Sequence, residues 1–405
     1  MNLATVSLAY LRARALNTTL NVSLLALGIA TITLLLLTTS QLEERMQRDA
    51  RGIDLVVGAK GSPMQIILSA IYQLDVPTGN ISWIQARELA RHRAVKKAIP
   101  LALGDNYRGF RIVGTEHDYV AHYDARLVQG RLWRAPLEAV LGAEVAAATG
   151  LAMDATFFGA HGLGGREGEH VHERHPYRVV GLLEPTGTVL DRIVLTGVES
   201  LWAVHADQHD IKDIMRVGEL LPDDEKEYTA LLIQYASPIA AAMLPRYINQ
   251  NSAMQAASPA YETARLFTII GVGVDVLRGF ALVLIIASGL SVFIALYNAL
   301  LERRYDLAVM RTLGASPRRL MALMLFEGAA LAGIGAVLGI ALGHALTEVL
   351  GIALTAAKQV AVSGWAWVDA ELWLVALALG VGVVAALLPA WRAYRTDIAS
   401  ILARG

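Results

Sequence analysis

Four histidines, His161, His170, His172 and His175, fall in one glycine-rich stretch, interleaved with Glu167, Glu169 and Glu173. Neutral imidazoles two and three residues apart have the reach and borderline softness to converge on Zn2+ or Cu2+. The same residues also make an ordinary solvated loop between two strands, and the sequence leaves both readings open. Nine of the ten histidines lie between residues 92 and 209, so any such chemistry belongs to one part of the chain. The segment DLVVGAKGSPMQIIL (54–68) has the flavour of a phosphate loop, but Lys60 precedes Gly61 and the G-x-x-x-x-G-K-[ST] order is missing. A strand, a tight turn and a helix start are expected there instead. Neither a nucleophile elbow nor H-E-x-x-H occurs, so the chain is read as non-catalytic. Any nucleotide it depends on must be bound by another chain.

The elements that must position these residues follow from where the apolar residues sit. Of 405 residues, 55% are hydrophobic and 18% charged, with a mean hydropathy of +0.45 and no cysteine. That excludes a disordered tail, a collagen-like chain and a disulfide-stapled domain. The formal net charge of −1 argues against a nucleic-acid partner. Between Arg14 and Glu43 lie 28 residues without a charge, enough to cross a hydrocarbon core of ~30 Å at ~1.5 Å per residue. A cleaved signal peptide is the rival reading, but the apolar run exceeds the ~7–15 residues of a signal core, and Thr38-Thr39-Ser40-Gln41 is a poor cleavage site.

Three further uncharged runs, Gly279 to Leu301, Gly328 to Thr347 and Leu372 to Trp391, give a pattern of one span, a long interval and three spans. Arg12 and Arg14, the arginines of the 302–319 loop, and Arg392, Arg395 and Arg404 mark one side as cytosolic. The expected organisation is an amphipathic cytosolic helix at 1–18 (or an extended first span), a first span at 19–40, an external domain at 41–265, and a stalk and second span at 266–301. A cytosolic coupling segment at 302–319, a third span at 320–347, a short external loop at 348–371, a fourth span at 372–391 and a cytosolic tail at 392–405 complete it. The fold class is thus a membrane protein of four transmembrane α-helices (1+3), with a large α+β domain inserted between the first and second.

Within the external domain, RVVGLL (178–183) and TVLDRIVLTG (188–197) read as two strands joined by a turn at Glu184-Pro185-Thr186-Gly187. ALLIQY (230–235) reads as a third. Helices are expected over 81–95, 136–150 and 238–250. Its length suggests two subdomains. It holds 23 basic and 28 acidic residues, whereas the rest of the chain holds 12 and 8, so the near-zero total hides an acidic external part and a basic cytosolic side.

The cytosolic segment carries the most specific pattern. Glu302-Arg303-Arg304 ends the second span, and Leu307, Met310 and Leu313 alternate with Asp306 and Arg311 before Gly314 and Ser316-Pro317. The run Glu302 to Ser316 resembles the E-R-x-x-E-(I/L)-(A/G)-x-(M/L)-(R/K)-(A/T)-(L/I)-G-A-(S/T) motif of FtsX-like permeases, the MacB, LolC/LolE and FtsX group of ABC transporter permeases. Asp306 stands where Glu is usual. Glu327-Gly328 and Pro389-Ala390-Trp391-Arg392-Ala393-Tyr394-Arg395 match two further motifs of that group. Gly130-Arg131, Leu141-Gly142 with Val145-Ala146, and Val179 to Leu183 are similar to the MacB-like periplasmic core domain.

The resemblance implies the permease subunit of a mechanotransmission ABC transporter in a bacterial inner membrane, with both termini cytosolic and the large domain periplasmic. It also implies two copies of a separate ABC ATP-binding subunit carrying ATP and Mg2+, a second permease copy or homologue, and an ATPase-docking helix at about 304–313. A periplasmic or membrane-fusion partner would fit the same scheme. The alternatives are an FtsX-like signalling protein controlling a cell-wall hydrolase, and zinc-linked transport or sensing through the histidine loop. Gly335, Gly339 and Gly343 give the third span a smooth face for close helix approach. Glu327, an ionisable residue within an apolar run, is expected to pair with an arginine of the preceding loop, and His344 to be hydrogen-bonded.

Overall fold

The apolar runs become helices that outlast them. The computed structural model describes residues 12, 14–162, 171–205, 214–356 and 362–395. It contains four helices long and apolar enough to cross a membrane, Ala15–Asp49, Pro259–Glu302, Pro317–Ala356 and Ala370–Tyr394. Most of the expected helix at 1–18, His170, and the tail beyond residue 395 lie outside the described residues. Charges limit where hydrocarbon can begin, but they do not interrupt backbone hydrogen bonding. Glu43, Glu44, Arg45, Met46, Gln47 and Arg48 are good helix formers, so the first helix continues to Asp49. Pro259 and Pro317 open their helices at a position where a missing N–H costs nothing.

The chain divides into two compact units, Met1–Leu42 with Ile270–Gly405, and Glu43–Ile269. In the first, the four helices share one core. Val22, Val292, Leu331 and Ala385 pack in one cluster and Leu25, Ile285, Ala332 and Ala378 in another, each helix contributing one residue to each set. Leu282, Val283, Ile286, Leu290, Val337 and Val384 point away from that core and are exposed. An apolar shell outside a packed helical core is what lipid requires, since only helices satisfy every backbone group there.

The second unit is α+β and built on a ten-stranded mixed sheet. In chain order its strands are β1 (Leu55–Ala59), β2 (Val95–Tyr107), β3 (Phe110–Thr115), β4 (Leu127–Gly130) and β5 (Glu138–Leu141). They continue with β6 (Thr156–His161), β7 (Val171–Leu183), β8 (Ile193–Gly197), β9 (Ala230–Tyr235) and β10 (Met254–Ala257). The main path runs β10-β1-β9-β2-β3-β8-β5-β7-β4, with β6 pairing both β2 and β7. Six strands therefore pair in a closed ring: β2, β3, β8, β5, β7, β6 and back to β2. Pairs β3–β8 and β5–β7 are parallel and the other four antiparallel. Among the described residues, the β6–β2 seam rests on two residue pairs, Asp105 with His161 and Asn106 with Ala160. Phe110, Ile112, Leu141, Phe157, Tyr177 and Val194 form one core within this unit. A second core joins Leu55, Val57, Leu231, Ile233 and Met254 to Leu244 and Ile248 of helix Pro238–Asn251.

One local expectation is corrected and another is refined. Residues 136–150 are not one helix: Glu138–Leu141 is a fully buried strand, and the helix is only Ala143–Thr149, stopped at Gly150. Three apolar residues in a row, Ala139-Val140-Leu141, carry no period that separates strand from helix. The turn at 184–187 forms, with the Asp191 carboxylate accepting from the Thr186 and Gly187 amides at 2.8 and 2.7 Å, but β7 and β8 do not pair with each other. β5 lies between them. Turn chemistry reports a change of direction and is silent on which strand fills the gap.

Candidate functional site

The chain breaks step at Arg303 (φ −98°, ψ 12°) and resumes as the short helix Arg304–Thr312. Its end is a double closure: the Gly314 amide donates to the Arg311 carbonyl at 3.1 Å and the Ala315 amide to Met310 at 3.0 Å, with Gly314 at φ +97°. A left-handed residue here favours glycine. Leu307 and Ala308 are buried, and Met310 packs beside Leu307 against Leu300, Leu320, Leu323 and Ala390. Of the expected apolar face, Leu307 is thus turned toward the bundle and Met310 is half-buried. A short helix that follows a span directly uses its inner apolar stripe to hold on to its own bundle. Tyr305 at 55% and Leu313 at 82% are the exposed large apolar side chains, flanked by exposed Arg304 and Asp306, while Arg311 is half-buried.

Two ion pairs, one of them buried, anchor this segment. Arg303 donates to Glu327 at 3.3 Å with both side chains buried, and Arg14 pairs with Glu302. The buried Glu327 carboxylate is thus paired, the Glu302 carboxylate is exposed, and the pairs tie the first, second and third spans together near the short helix.

The glycine stripe of the third span faces the first. A Cβ on Gly335 would meet Leu25 at 2.9 Å, one on Gly339 Ile29 at 2.7 Å, and one on Gly343 Thr33 at 2.6 Å. Two features escape sequence reasoning. Gly382 of the fourth span lies against Gly328, whose added Cβ would meet the Gly382 carbonyl at 2.5 Å. Asn21, buried in the first span, accepts at its carbonyl from Ser288 at 3.2 Å and hydrogen-bonds Ser291 through its side chain. His344 is hydrogen-bonded on both nitrogens, to the Gly364 carbonyl at 2.5 Å and to buried Glu371 at 2.9 Å.

In the β-rich unit, Arg131 grips Glu138 with two hydrogen bonds of 2.7 and 2.6 Å, joined by the Arg134 amide at 2.8 Å and Arg178 at 3.2 Å. The Arg131 hydrogen bonds hold the Glu138 carboxyl down at about 2, against the opposing effect of burial and with help from the Arg134 amide and the Arg178 guanidinium. Gly130 takes φ +83°, and any Cβ there would run into the Val180 carbonyl, so this glycine sets up the arginine that follows it.

Of the four loop histidines, the side chains of His161 and His175 fall among the described residues. His175 is buried in β7, His170 lies outside the described residues, and of His172 only the backbone is described. His161 is grouped instead with Asp105 and His205, whose ligand atoms all lie within 4.8 Å of one another. The sequence places these three 56 and 44 residues apart, and only the β2–β6 pairing and helix Val198–His205 join them.

The family of MacB-like periplasmic core domains matches residues 18–250, over half of the chain, and the FtsX-like permease C-terminal family matches residues 278–398. The chain belongs to this family of permeases. The Arg131–Glu138 clamp and the histidine group fall in the first match, and the short helix with its Arg303–Glu327 anchor in the second. A curated relative, the ABC transporter permease YtrF of Bacillus subtilis (strain 168), is 25% identical over 130 residues. That alignment covers 30% of this permease and 30% of YtrF. The periplasmic region of MacB from Actinobacillus actinomycetemcomitans overlaps 54% of the permease and 95% of its own chain at 10% identity and a TM-score of 0.35. The extracellular domain of the noncanonic ABC-type transporter YknZ from Gram-positive bacteria overlaps 51% and 99%, at 14% identity and a TM-score of 0.29.

Proposed function

We propose that this permease is the membrane subunit of an ABC transporter whose ATP-binding subunits, two per assembly and carrying ATP and Mg2+, are separate chains. ATP-driven closure of those subunits moves a pair of permeases, and the β-rich domains act on a substrate in or from the periplasm. In this reading the chain performs no chemistry itself. It lies in a bacterial inner membrane with both termini and the short helix in the cytosol, as the basic residues flanking the spans indicate.

The observation that carries the reading is the short helix Arg304–Thr312. It is pinned from within by Leu307 and by the Arg303–Glu327 pair, yet it presents Tyr305 and Leu313 outward beside Arg304 and Asp306. Exposed apolar anchors ringed by charges of both signs suit a groove on a protein partner, the charges setting register. Rigid anchoring allows a push on the outer face to reach the bundle. Co-expression with the cognate ATPase and purification through a tag on the permease tests this. Leu313→Asp is expected to cut ATPase recovery by at least about tenfold, the loss of ~1.4 kcal/mol or more, with membrane insertion unchanged. Unaltered recovery in a Tyr305→Asp/Leu313→Asp double variant overturns the assignment.

A further inference from the structure

Asp105 and His161 stand directly opposite each other at the β2–β6 seam, which places their side chains on one face. β2 changes register with β3 between Leu103 and Asp105, a bulge of the kind that re-aims the residues after it. His205 closes helix Val198–His205 and reaches the same place. His161 Nδ1 lies 3.5 Å and His205 Nε2 4.0 Å from the same carboxylate oxygen of Asp105. The His205 Nδ1–H donates to the Leu201 carbonyl at 2.8 Å, which in the neutral imidazole puts the lone pair on Nε2, the nitrogen 4.0 Å from Asp105. A backbone carbonyl that fixes an imidazole tautomer is the usual support of a metal-bound histidine.

We propose that Asp105, His161 and His205 form a binding site for a divalent cation of borderline softness, with zinc the expected occupant. Bonds of ~2.0–2.1 Å in a tetrahedral arrangement set ligand atoms ~3.3–3.4 Å apart. The 3.5 Å separation already fits, the 4.0 Å one closes by ~0.6–0.7 Å, and the remaining one, within 4.8 Å, by at most ~1.5 Å, through rotation of imidazoles that are 60% and 45% exposed. Asp105 is fully buried and supplies the negative charge, while the two partly exposed imidazoles leave the cation a route in. A pocket of about 290 Å3, lined by both histidines with Asn80, Trp202 and Thr229, gives a fourth ligand position room for water or a small donor. One carboxylate beside two imidazoles is too poor in oxygen for calcium or magnesium, and a chain without cysteine offers no thiolate to copper(I). The site shares only His161 with the ligand set the sequence suggested, and it stands independently of the ATPase reading.

The test uses the full-length permease in detergent, stripped with a chelator and titrated calorimetrically with zinc chloride. Cobalt(II) absorption in the visible region reports the coordination geometry. One equivalent per chain is expected to bind, with intense tetrahedral cobalt bands and no response to magnesium. His161→Ala and His205→Ala, both at partly exposed positions that leave the core intact, are each expected to weaken zinc binding by at least about tenfold. Absence of binding by the parent protein overturns the proposal. So does parent-like binding by His205→Ala, or a loss carried by His170→Ala/His172→Ala in its place.

Discussion

A carboxylate held by two guanidinium groups gives up its charge late. The Glu138 carboxyl is depressed from 4.5 to about 2 by Arg131 first, with the Arg134 amide and Arg178 adding to it. A group whose folded value lies below its unfolded value stabilises the fold fully above the unfolded value and loses that contribution as pH falls through the folded one. The thermal midpoint of the parent should therefore exceed that of Glu138→Gln at pH 7. The gap should narrow as pH drops from about 4.5 through about 2, below which both carry a neutral side chain. Thermal scans of the two proteins across that range, followed by tryptophan fluorescence, check it; a gap constant with pH contradicts the clamp. At this scale the sequence was partly legible. Glu327 could be seen as a charge in need of an arginine, and Arg303 is that arginine. Gly130-Arg131 could be seen as a pattern, but its purpose could not, because Glu138 reaches Arg131 only through the backbone geometry between them. His161 could be seen as a ligand type, but Asp105 and His205 could not be seen as its neighbours, since cross-strand pairing leaves no mark in either strand alone.

At the level of elements, the packing between spans depends on what is missing from the third helix. Since a Cβ at Gly339 would stand 2.7 Å from Ile29 and 2.8 Å from the Ala26 carbonyl, even Gly339→Ala forces the first and third spans apart. A cost of roughly 1–3 kcal/mol is expected. Gly333→Ala, whose Cβ would sit 3.7 Å from Leu379 in ordinary contact, should be neutral or slightly stabilising by comparison. Thermal denaturation in detergent ranks the two, and equal midpoints would remove the stripe from any packing role. The stripe is readable because helical period fixes which residues share a face. Its counterpart at Gly382 is not, because nothing in the fourth span alone says that Gly328 will lie against it. The short helix shows the same limit: period identified its apolar residues, but only the fold divides them between the bundle, which takes Leu307, and the exterior, which keeps Leu313.

For the whole molecule, hydropathy and charge sufficed to find four helices and an inserted α+β unit, because lipid and water impose opposite rules on long stretches of chain. The wiring of the sheet was not readable, since each of its strands is a short apolar run compatible with several neighbours. Its closed ring makes a local prediction. Among the described residues the β6–β2 seam holds two residue pairs, whereas β3 and β8 share five in register. Amides at the seam, among them Gly162, which donates to the Gly104 carbonyl at 2.8 Å, should exchange with solvent well before those of β3 and β8. Hydrogen exchange read by mass spectrometry on the full-length protein checks this, and uniform protection around the ring would contradict it.

The same ring sets a timetable for synthesis. β3 is complete at Thr115, but β8, which fills the place between β3 and β5, begins only at Ile193. At ~5–20 residues per second, β3 waits several seconds with one edge unclaimed, and β5 with both until β7 emerges, while the intervening chain is made. Parallel partners cannot be replaced by a local hairpin in that interval. The nascent domain thus passes through a period when its exposed strand edges are open to the wrong partner. Its yield in a cell depends on how quickly β8 arrives to close the gap.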